Sequence, residues 1–177
     1  MHPHGSIILG IDPGSRITGF GLIEMSQGKL RYLDSGCIRL AQTEITERLQ
    51  DIFTGIETIM QTYKPHEAAI EQVFMHKNPG AALKLGQARG AAIVSMTRFD
   101  MPVAEYSARQ IKQAVVGYGA ASKEQVTQMV CRLLNSTGVP QVDAADALAV
   151  AICHAHTKEF EQRRQMNDRT IARKITP

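Results

Sequence analysis

The first forty residues alternate short apolar runs with turn residues, a pattern typical of β-strands. Three such runs are predicted as strands, at residues 6–11, 17–25 and 30–40. The stretch SQGK at 26–29 joins the second run to the third, and its glycine suits a tight hairpin turn. The pattern therefore predicts three consecutive strands, of which the second and third form an antiparallel hairpin.

Apolar positions then change to helical spacing, and helices alternate with strands. Apolar side chains recur every three or four residues up to Tyr63, so a helix is predicted from near Thr43 until Pro65 stops it. Further strands are predicted within 66–74 and 101–106, and further helices at about 81–96, 107–117, 122–134 and 141–156. This order predicts an α/β domain with a mixed sheet.

Composition restricts the class of protein. The 177 residues are 44% hydrophobic and 21% charged, which is typical of a single soluble globular domain. No apolar run has the length of a membrane span, and residues 1–5 have the character of a flexible extension, not of a secretory signal. Cys37, Cys131 and Cys153 are odd in number and widely spaced, so we expect reduced thiols and a cytoplasmic protein.

Charge is concentrated at the end of the chain. Residues 158–177 hold six basic and three acidic side chains, and so account for the whole net charge of +3. Because this segment lacks a strong apolar face, it is predicted to be a loose tail after a single domain at 6–157. The balanced charge of the rest does not by itself indicate a nucleic-acid-binding protein.

Four carboxylates stand in unusually apolar surroundings. Asp12 ends the first strand, and Glu71 interrupts the apolar strand AAIEQVF, where an unpaired charge is costly. Asp143 and Asp146 lie three residues apart in the first turns of the last helix, and so share a face. The structural alternatives are a turn residue for Asp12, and helix capping or dipole complementarity for the two helical aspartates.

The four acids converge if the first and fourth strands are neighbours and the last helix covers them. Like charges about 4–5 Å apart repel by roughly 3–4 kcal/mol per pair at an effective dielectric constant of about 20. Such a cluster needs either shifted pKa values or bound cations, and carboxylate oxygens suit Mg²⁺ or Mn²⁺. Two such ions about 4 Å apart are suited to in-line attack on a phosphodiester.

Four separated stretches carry a family resemblance: GIDPGSRITGFG, AIEQVF, ALKLGQARG and DAADALAVAICH. Together they resemble the RuvC family of Holliday-junction resolvases, in the ribonuclease H-like superfamily, from Ile7 to about His156. The resemblance implies a ribonuclease H-like mixed five-stranded sheet flanked by helices. The four acidic catalytic and metal-binding positions would be Asp12, Glu71, Asp143 and Asp146.

The resemblance also implies an activity and its partners. We expect an endonuclease that resolves four-way DNA junctions in recombination and repair by paired symmetric nicks, each leaving a 5′-phosphate. Two Mg²⁺ ions would serve each active site, with Mn²⁺ as a substitute, and Asp12 would bridge them. The implied partners are a second copy of the chain, four-way junction DNA, and the branch-migration proteins RuvA and RuvB; no membrane is involved.

Six further residues are candidate DNA contacts by this resemblance. They are Phe74, Lys77, Lys84, Arg89, Lys112 and Lys123. Lys112 and Lys123 match positions near the scissile strand, and Phe74 matches an aromatic that stacks on an unpaired base. The structural alternatives are solvated helix faces for the basic residues and packing beneath its own loop for Phe74.

A stripe of small residues in KLGQARGAAIVSM is a candidate dimer contact. Gly86 and Gly90 are four residues apart, with Ala82, Ala91 and Ala92 nearby. Small residues on one helical stripe permit another helix to approach closely. The resemblance favours dimerisation through this helix, and the alternative is packing against the domain's own sheet.

Other functions fit the sequence less well. GYGAASK lacks the glycine that a phosphate-binding loop requires before Lys123. An actin-type ATPase also begins with an Asp- and Gly-rich hairpin, but it needs a second domain of similar size. A junction-binding module without catalysis has no need of Glu71 or Asp146 in apolar surroundings. His154 and His156 point different ways on a helix, so we expect solvent or capping roles for them.

Overall fold

The structure is a computed structural model that describes residues 5–73, 78–136 and 138–175, with side chains described as far as residue 168. Its elements are β1 (Ser6–Asp12), β2 (Ile17–Ser26), β3 (Lys29–Arg39), α1 (Ile45–Tyr63), β4 (Glu67–Glu71), α2 (Pro79–Thr97), β5 (Val103–Tyr106), α3 (Ala108–Val116), α4 (Lys123–Leu133) and α5 (Val142–Ile175). Apart from the C-terminal end of α5, the predicted elements coincide with these within a few residues. No helix in the described ranges is both long and apolar enough to cross a membrane.

The five strands form one mixed sheet in the order β3-β2-β1-β4-β5. The first three strands pair antiparallel, whereas β4 is parallel to both β1 and β5. Gln27 and Gly28 in the turn between β2 and β3 both have positive φ, 51° and 77°, as tight hairpin turns favour. The predicted hairpin is confirmed, and β1 and β4 are neighbours as convergence of the four acids requires.

Two cores lie on opposite faces of the sheet. Ile11 and Ile70 belong to the core under α1 and α2, whereas Ile8 belongs to the core under α3, α4 and α5. Side chains alternate between the faces of a strand. Asp12 follows Ile11 and Glu71 follows Ile70, so both carboxylates face the opposite side of the sheet, where α3, α4 and α5 lie.

Helix α5 lies unusually close to β1 and β2. A Cβ atom added at Gly10 would stand 2.2 Å from the carbonyl oxygen of Ala147, and one at Gly19 would stand 2.0 Å from that of Asp143. Only glycine leaves room for the helix backbone at these positions. The close approach brings the first turns of α5, with Asp143 and Asp146, to the ends of β1 and β4.

The C-terminal end of α5 differs from the expectation drawn from sequence. The helix continues through residues 158–175, where a loose tail was predicted. The segment contains no proline or glycine, and Glu159 forms an ion pair with Arg163 one turn later. Lys158 also contacts Glu67, with 3.1 Å between Nζ and Oε2. The ion pair within the helix and the contact with β4 favour helix even without a broad apolar face. The division of the chain into a domain and a tail stays a prediction.

The solvent or capping role predicted for His154 is wrong. Its side chain is buried, with Nδ1 2.8 Å from the hydroxyl of Tyr106 and Nε2 2.9 Å from Oε2 of Glu67. Burial lowers the pKa of His154, although the adjacent Glu67 carboxylate opposes this. His156 is half-buried and lies 3.0 Å, through Nδ1, from the carbonyl oxygen of Ala114. Both imidazoles therefore connect elements of the α3–α5 core.

Candidate active site

Four carboxylates lie at one edge of the sheet. Asp12 is the last residue of β1, Glu71 is the last of β4, and the pairing of these two strands ends at the residues just before them. Asp143 and Asp146 lie in the first turns of α5, which packs across the same strands. Strand pairing and the close approach of α5 therefore position acids that are far apart in sequence.

A cleft of about 360 Å³ opens at this edge. Three of the acids, Asp12, Glu71 and Asp146, contribute to its lining, together with Lys112 and Lys123. The cleft therefore combines negatively charged carboxylates with two ammonium groups, as a site for a phosphodiester and cations requires.

Asp12 has the most strongly altered acidity in the site. Burial is the largest cause, followed by the negative charges of Glu71 and Asp146, and together they raise the pKa of Asp12 to about 8. Asp143 contributes in the same direction, whereas the ammonium of Lys123 opposes the shift. Without a cation, Asp12 therefore retains its proton at neutral pH for much of the time.

Glu71 is affected in the same way. Burial and then the charge of Asp146 raise the pKa of Glu71, and Lys123 and Lys112 oppose the shift. The two strand carboxylates therefore share one electrostatic environment, in which loss of a proton from either is unfavourable without added positive charge.

Lys123 is held against Asp146. Its Nζ lies 3.0 Å from Oδ2 of Asp146, and this hydrogen bond is the main cause of the raised pKa of Lys123. Lys123 is the first residue of α4, whose start is fixed by the predicted capping box between Ser122 and Gln125. Local helix capping thus directs an ammonium group into the acidic cleft.

The fourth acid lies apart from the cleft lining. The backbone of Asp143 lies against Gly19 of β2, which pairs with Cys37 of β3. Burial and then the negative charge of Asp143 raise the pKa of the Cys37 thiol. Within the described ranges, no three His, Cys, Asp or Glu side chains are close enough together to hold a metal ion. Like charges repel one another, and Asp146 is paired with Lys123.

The predicted DNA contacts occupy different environments. Phe74 and Lys77 lie outside the described residues, and Lys84 is exposed on α2. Lys112 and Lys123 line the cleft, as described above. Arg89 is engaged within the protein, because its guanidinium contacts the carbonyl oxygen of Glu71 and the carboxylate of Glu105.

Sequence reasoning missed the apolar walls of the cleft and the partner of Arg89. Leu85, Ile111 and Val126 line the cleft from three different helices. Their helical periodicity was visible, but the contacts between helices were not. Glu105 interrupts the short strand VAEY, and a charge at that position was the one available signal for an ion pair.

Comparison with known proteins identifies the family. The model of the family described as crossover junction endodeoxyribonuclease RuvC matches residues 8–154. The crossover junction endodeoxyribonuclease RuvC of Acinetobacter baumannii is 64% identical over 150 residues, which cover 85% of this chain and 83% of that protein. The protein of the same name from Psychromonas ingrahamii is 62% identical over 154 residues, covering 87% and 89%.

Solved structures agree with the sequence relatives. Thermus thermophilus RuvC in complex with Holliday junction substrate superposes with a TM-score of 0.83 and 31% identity, over 88% of this chain and 96% of that one. The yeast mitochondrial Holliday junction resolvase Ydc2 has a TM-score of 0.69 at 13% identity, over 96% and 86%, and supports the ribonuclease H-like fold. The chain belongs to the RuvC family of crossover junction endodeoxyribonucleases.

Proposed function

We propose that the protein resolves four-way DNA junctions by hydrolysing one phosphodiester in each of two symmetry-related strands. The observation that carries the proposal is the cleft in which Asp12, Glu71 and Asp146 meet Lys112 and Lys123. Family membership supports a crossover junction endodeoxyribonuclease, and the related T. thermophilus protein is described with a Holliday junction substrate.

The chemistry of the donor set fits divalent cations. The acids offer only carboxylate oxygens, which Mg²⁺ and Mn²⁺ prefer. Burial, and then the negative charges of Glu71 and Asp146, raise the pKa of Asp12, so added positive charge would favour its ionised form. We propose that Asp12, Glu71, Asp143 and Asp146 hold two Mg²⁺ ions, for which Mn²⁺ can substitute. When bound, such ions supply the Lewis acidity that activates a water and stabilises the leaving oxygen.

Asp12 is the best candidate for a ligand shared by both ions. The charges of Glu71, Asp146 and Asp143 all affect its pKa, so its carboxylate lies within electrostatic reach of the other three acids. Asp146 or Asp143 would also orient the attacking water. We further propose that hydrolysis leaves the 5′-phosphate on the cut strand.

Lys112 and Lys123 are proposed to contact the phosphates of the scissile strand. Lys123 pairs with Asp146, and this ion pair would be unnecessary if Asp146 held a divalent cation. Its ammonium group would then be available to the DNA. Phe74, Lys77 and the exposed Lys84 stay predictions of DNA contact, with Phe74 stacking on an unpaired base.

A homodimer is proposed through the exposed face of α2. Leu83 and Val94 are 66% and 56% exposed on this helix, and Cβ atoms added at Gly86 or Gly90 would meet nothing within 4 Å. Ala92, in contrast, is buried against the domain's own core. A small and apolar face thus remains outside the core, and a two-fold dimer suits a substrate with two equivalent strands.

RuvA and RuvB are proposed as partners because of the family relationship. A cytoplasmic location is also proposed. It accords with Cys37, Cys131 and Cys153, which are all free thiols, as expected in a reducing compartment.

Product mapping tests the proposed reaction. A synthetic four-way junction and a linear duplex with the same arm sequences are each incubated with the protein in Mg²⁺, in EDTA, or in ATP with Mg²⁺. We expect paired nicks at symmetric positions in the junction alone, only with the metal, and sealed by DNA ligase because they carry 5′-phosphate. Junction binding without nicks in Mg²⁺ would favour a junction-binding module, and ATP hydrolysis without nicks would favour an ATPase.

A further inference from the structure

Arg89 joins α2 to the ends of two strands. Its Nε donates a hydrogen bond to the carbonyl oxygen of Glu71 at 3.3 Å, and its Nη2 lies 2.6 Å from Oε2 of Glu105. The arginine side chain is 21% exposed. One planar guanidinium therefore connects α2 to β4 and β5 at the residue where β4 ends.

These contacts approach Glu71 from the face of the sheet opposite its carboxylate. Ile70 lies in the core under α1 and α2, so the next side chain, Glu71, faces α5. Glu105 pairs in register with Ile70 and so points to the α2 side, where Arg89 meets it. Arg89 therefore holds the backbone of Glu71 and takes no part in lining the cleft.

The backbone at Glu71 lies at the limit of the sheet. Pairing between β1 and β4 ends at Ile11 and Ile70, one residue earlier. On the other side, the amide of Gln72 donates to the carbonyl oxygen of Tyr106 at 2.8 Å. Arg89 supplies a charge-assisted donor where strand pairing stops, and its ion pair with a carboxylate fixes the plane of the guanidinium.

We propose that Arg89 is a positioning residue for Glu71, not a phosphate contact. By holding the carbonyl group at the end of β4, it fixes the direction in which the Glu71 carboxylate enters the cleft. The inference rests on the proposed nuclease function, because it assigns Arg89 a task in the reaction that the four acids carry out.

Two substitutions separate positioning from phosphate binding. Arg89→Lys keeps the positive charge that a phosphate contact needs, but an ammonium group lacks the planar fork that serves Glu71 and Glu105 together. Arg89→Gln removes the charge. We expect both variants to nick a junction about tenfold or more slowly under single-turnover conditions, and to need more Mg²⁺ for half-maximal rate.

The affinity for a junction, measured in EDTA, tests the alternative that Arg89 contacts a phosphate. We expect the Kd of both variants to stay within about twofold of wild type, with an unchanged dependence on salt. A weaker Kd for Arg89→Gln, a salt slope reduced by about one, and a normal rate for Arg89→Lys would overturn the inference in favour of a phosphate contact.

Two further variants complete the test: a control on α2, and a replacement to use if the Arg89 variants do not fold. Arg98 lies at the other end of α2 and pairs with Glu57 at 3.0 Å, so Arg98→Gln should leave rate and Mg²⁺ dependence unchanged. If the Arg89 variants do not fold, as judged by circular dichroism, Glu105→Gln replaces them. Glu105→Gln removes the ion pair that orients the Arg89 guanidinium, so we expect a higher Mg²⁺ concentration for half-maximal rate. An unchanged Mg²⁺ concentration would count against the inference.

Calorimetric titration with Mg²⁺ gives a result that does not depend on cleavage. Weaker Mg²⁺ binding by Arg89→Gln than by wild type is expected, and equal binding would overturn the inference. Wild-type protein that neither nicks junctions nor binds Mg²⁺ would overturn the nuclease proposal itself. Normal wild-type nicking with an unaffected Arg89→Lys would remove only the role of Arg89.

Discussion

Burial and three neighbouring carboxylates raise the pKa of Asp12 from 3.8 to about 8. Between these two pH values, the metal-free folded protein holds a proton that the unfolded chain has released. Its stability therefore falls as the pH rises through this interval, and above about pH 8 the unfavourable contribution is complete. The ionised carboxylate therefore lowers the free energy of unfolding of the metal-free protein, as expected of a residue kept for binding cations.

Replacing Asp12 tests this at the residue scale. In EDTA, Asp12→Asn should be at least as stable as wild type at pH 5 and more stable at pH 8, by about 1–3 kcal/mol in the free energy of unfolding. Urea denaturation at the two pH values measures the difference. The exposed Asp100 is the matched control, because Asp100→Asn should show no such pH-dependent gain. A variant clearly less stable than wild type at pH 8 would contradict the acidic cluster.

Individual residues also show how far sequence reasoning reached. Asp12 and Glu71 were identified because carboxylates are costly within apolar strands, and strand alternation then turns them to one face. The solvent or capping role predicted for His154 was wrong because its side chain is buried against Glu67, which is distant in sequence. The ion pair of Arg89 with Glu105 was missed for the same reason, and DNA contact by Arg89 stays a prediction. Neither partner follows from local spacing.

Elements were predictable where local signals are strong. The hairpin turn, the capped starts of α3 and α4 and the helical periodicity of α1 are all local in sequence. The C-terminal part of α5 was not predicted, because its helix lacks a broad apolar face and depends on ion pairs such as Glu159 with Arg163. The order of the strands and the position of α5 on the sheet were not predictable, because both depend on packing between segments distant in sequence.

The close packing of α5 on β1 can be tested by a substitution at Gly10. A methyl group at Gly10 would meet backbone atoms of α5, 2.2 Å from the oxygen of Ala147 and 2.6 Å from the nitrogen of Ala151. Gly10→Ala should therefore displace the helix, lower the free energy of unfolding by about 1–3 kcal/mol, and slow nicking because Asp146 moves.

Chemical denaturation and single-turnover nicking together check this prediction. Gly138→Ala is the control, because a Cβ at that glycine would meet nothing within 4 Å, and it should alter neither quantity. If Gly10→Ala has the stability and nicking rate of wild type, close packing of α5 on β1 is needed for neither.

The whole molecule is proposed to act as a dimer, so the exposed face of α2 matters beyond its own fold. Gly90→Glu places a charge on that face, where two copies would bring like charges together and disfavour close approach. Sedimentation velocity should then report a monomer, and the paired nicks on a junction should become single. Gln61→Glu, on the exposed surface of α1, is the control for added charge. If the Gly90→Glu protein remains dimeric, the dimer interface does not lie on this face of α2.

Single-turnover cleavage of a four-way junction by saturating wild-type, Asp12→Asn and Asp100→Asn proteins in Mg²⁺ tests the central claim most directly. The acidic cleft predicts a rate roughly a thousandfold lower for Asp12→Asn, with junction affinity retained, and a wild-type rate for Asp100→Asn. Cleavage by Asp12→Asn at the wild-type rate would contradict the assignment of this cleft as the catalytic centre.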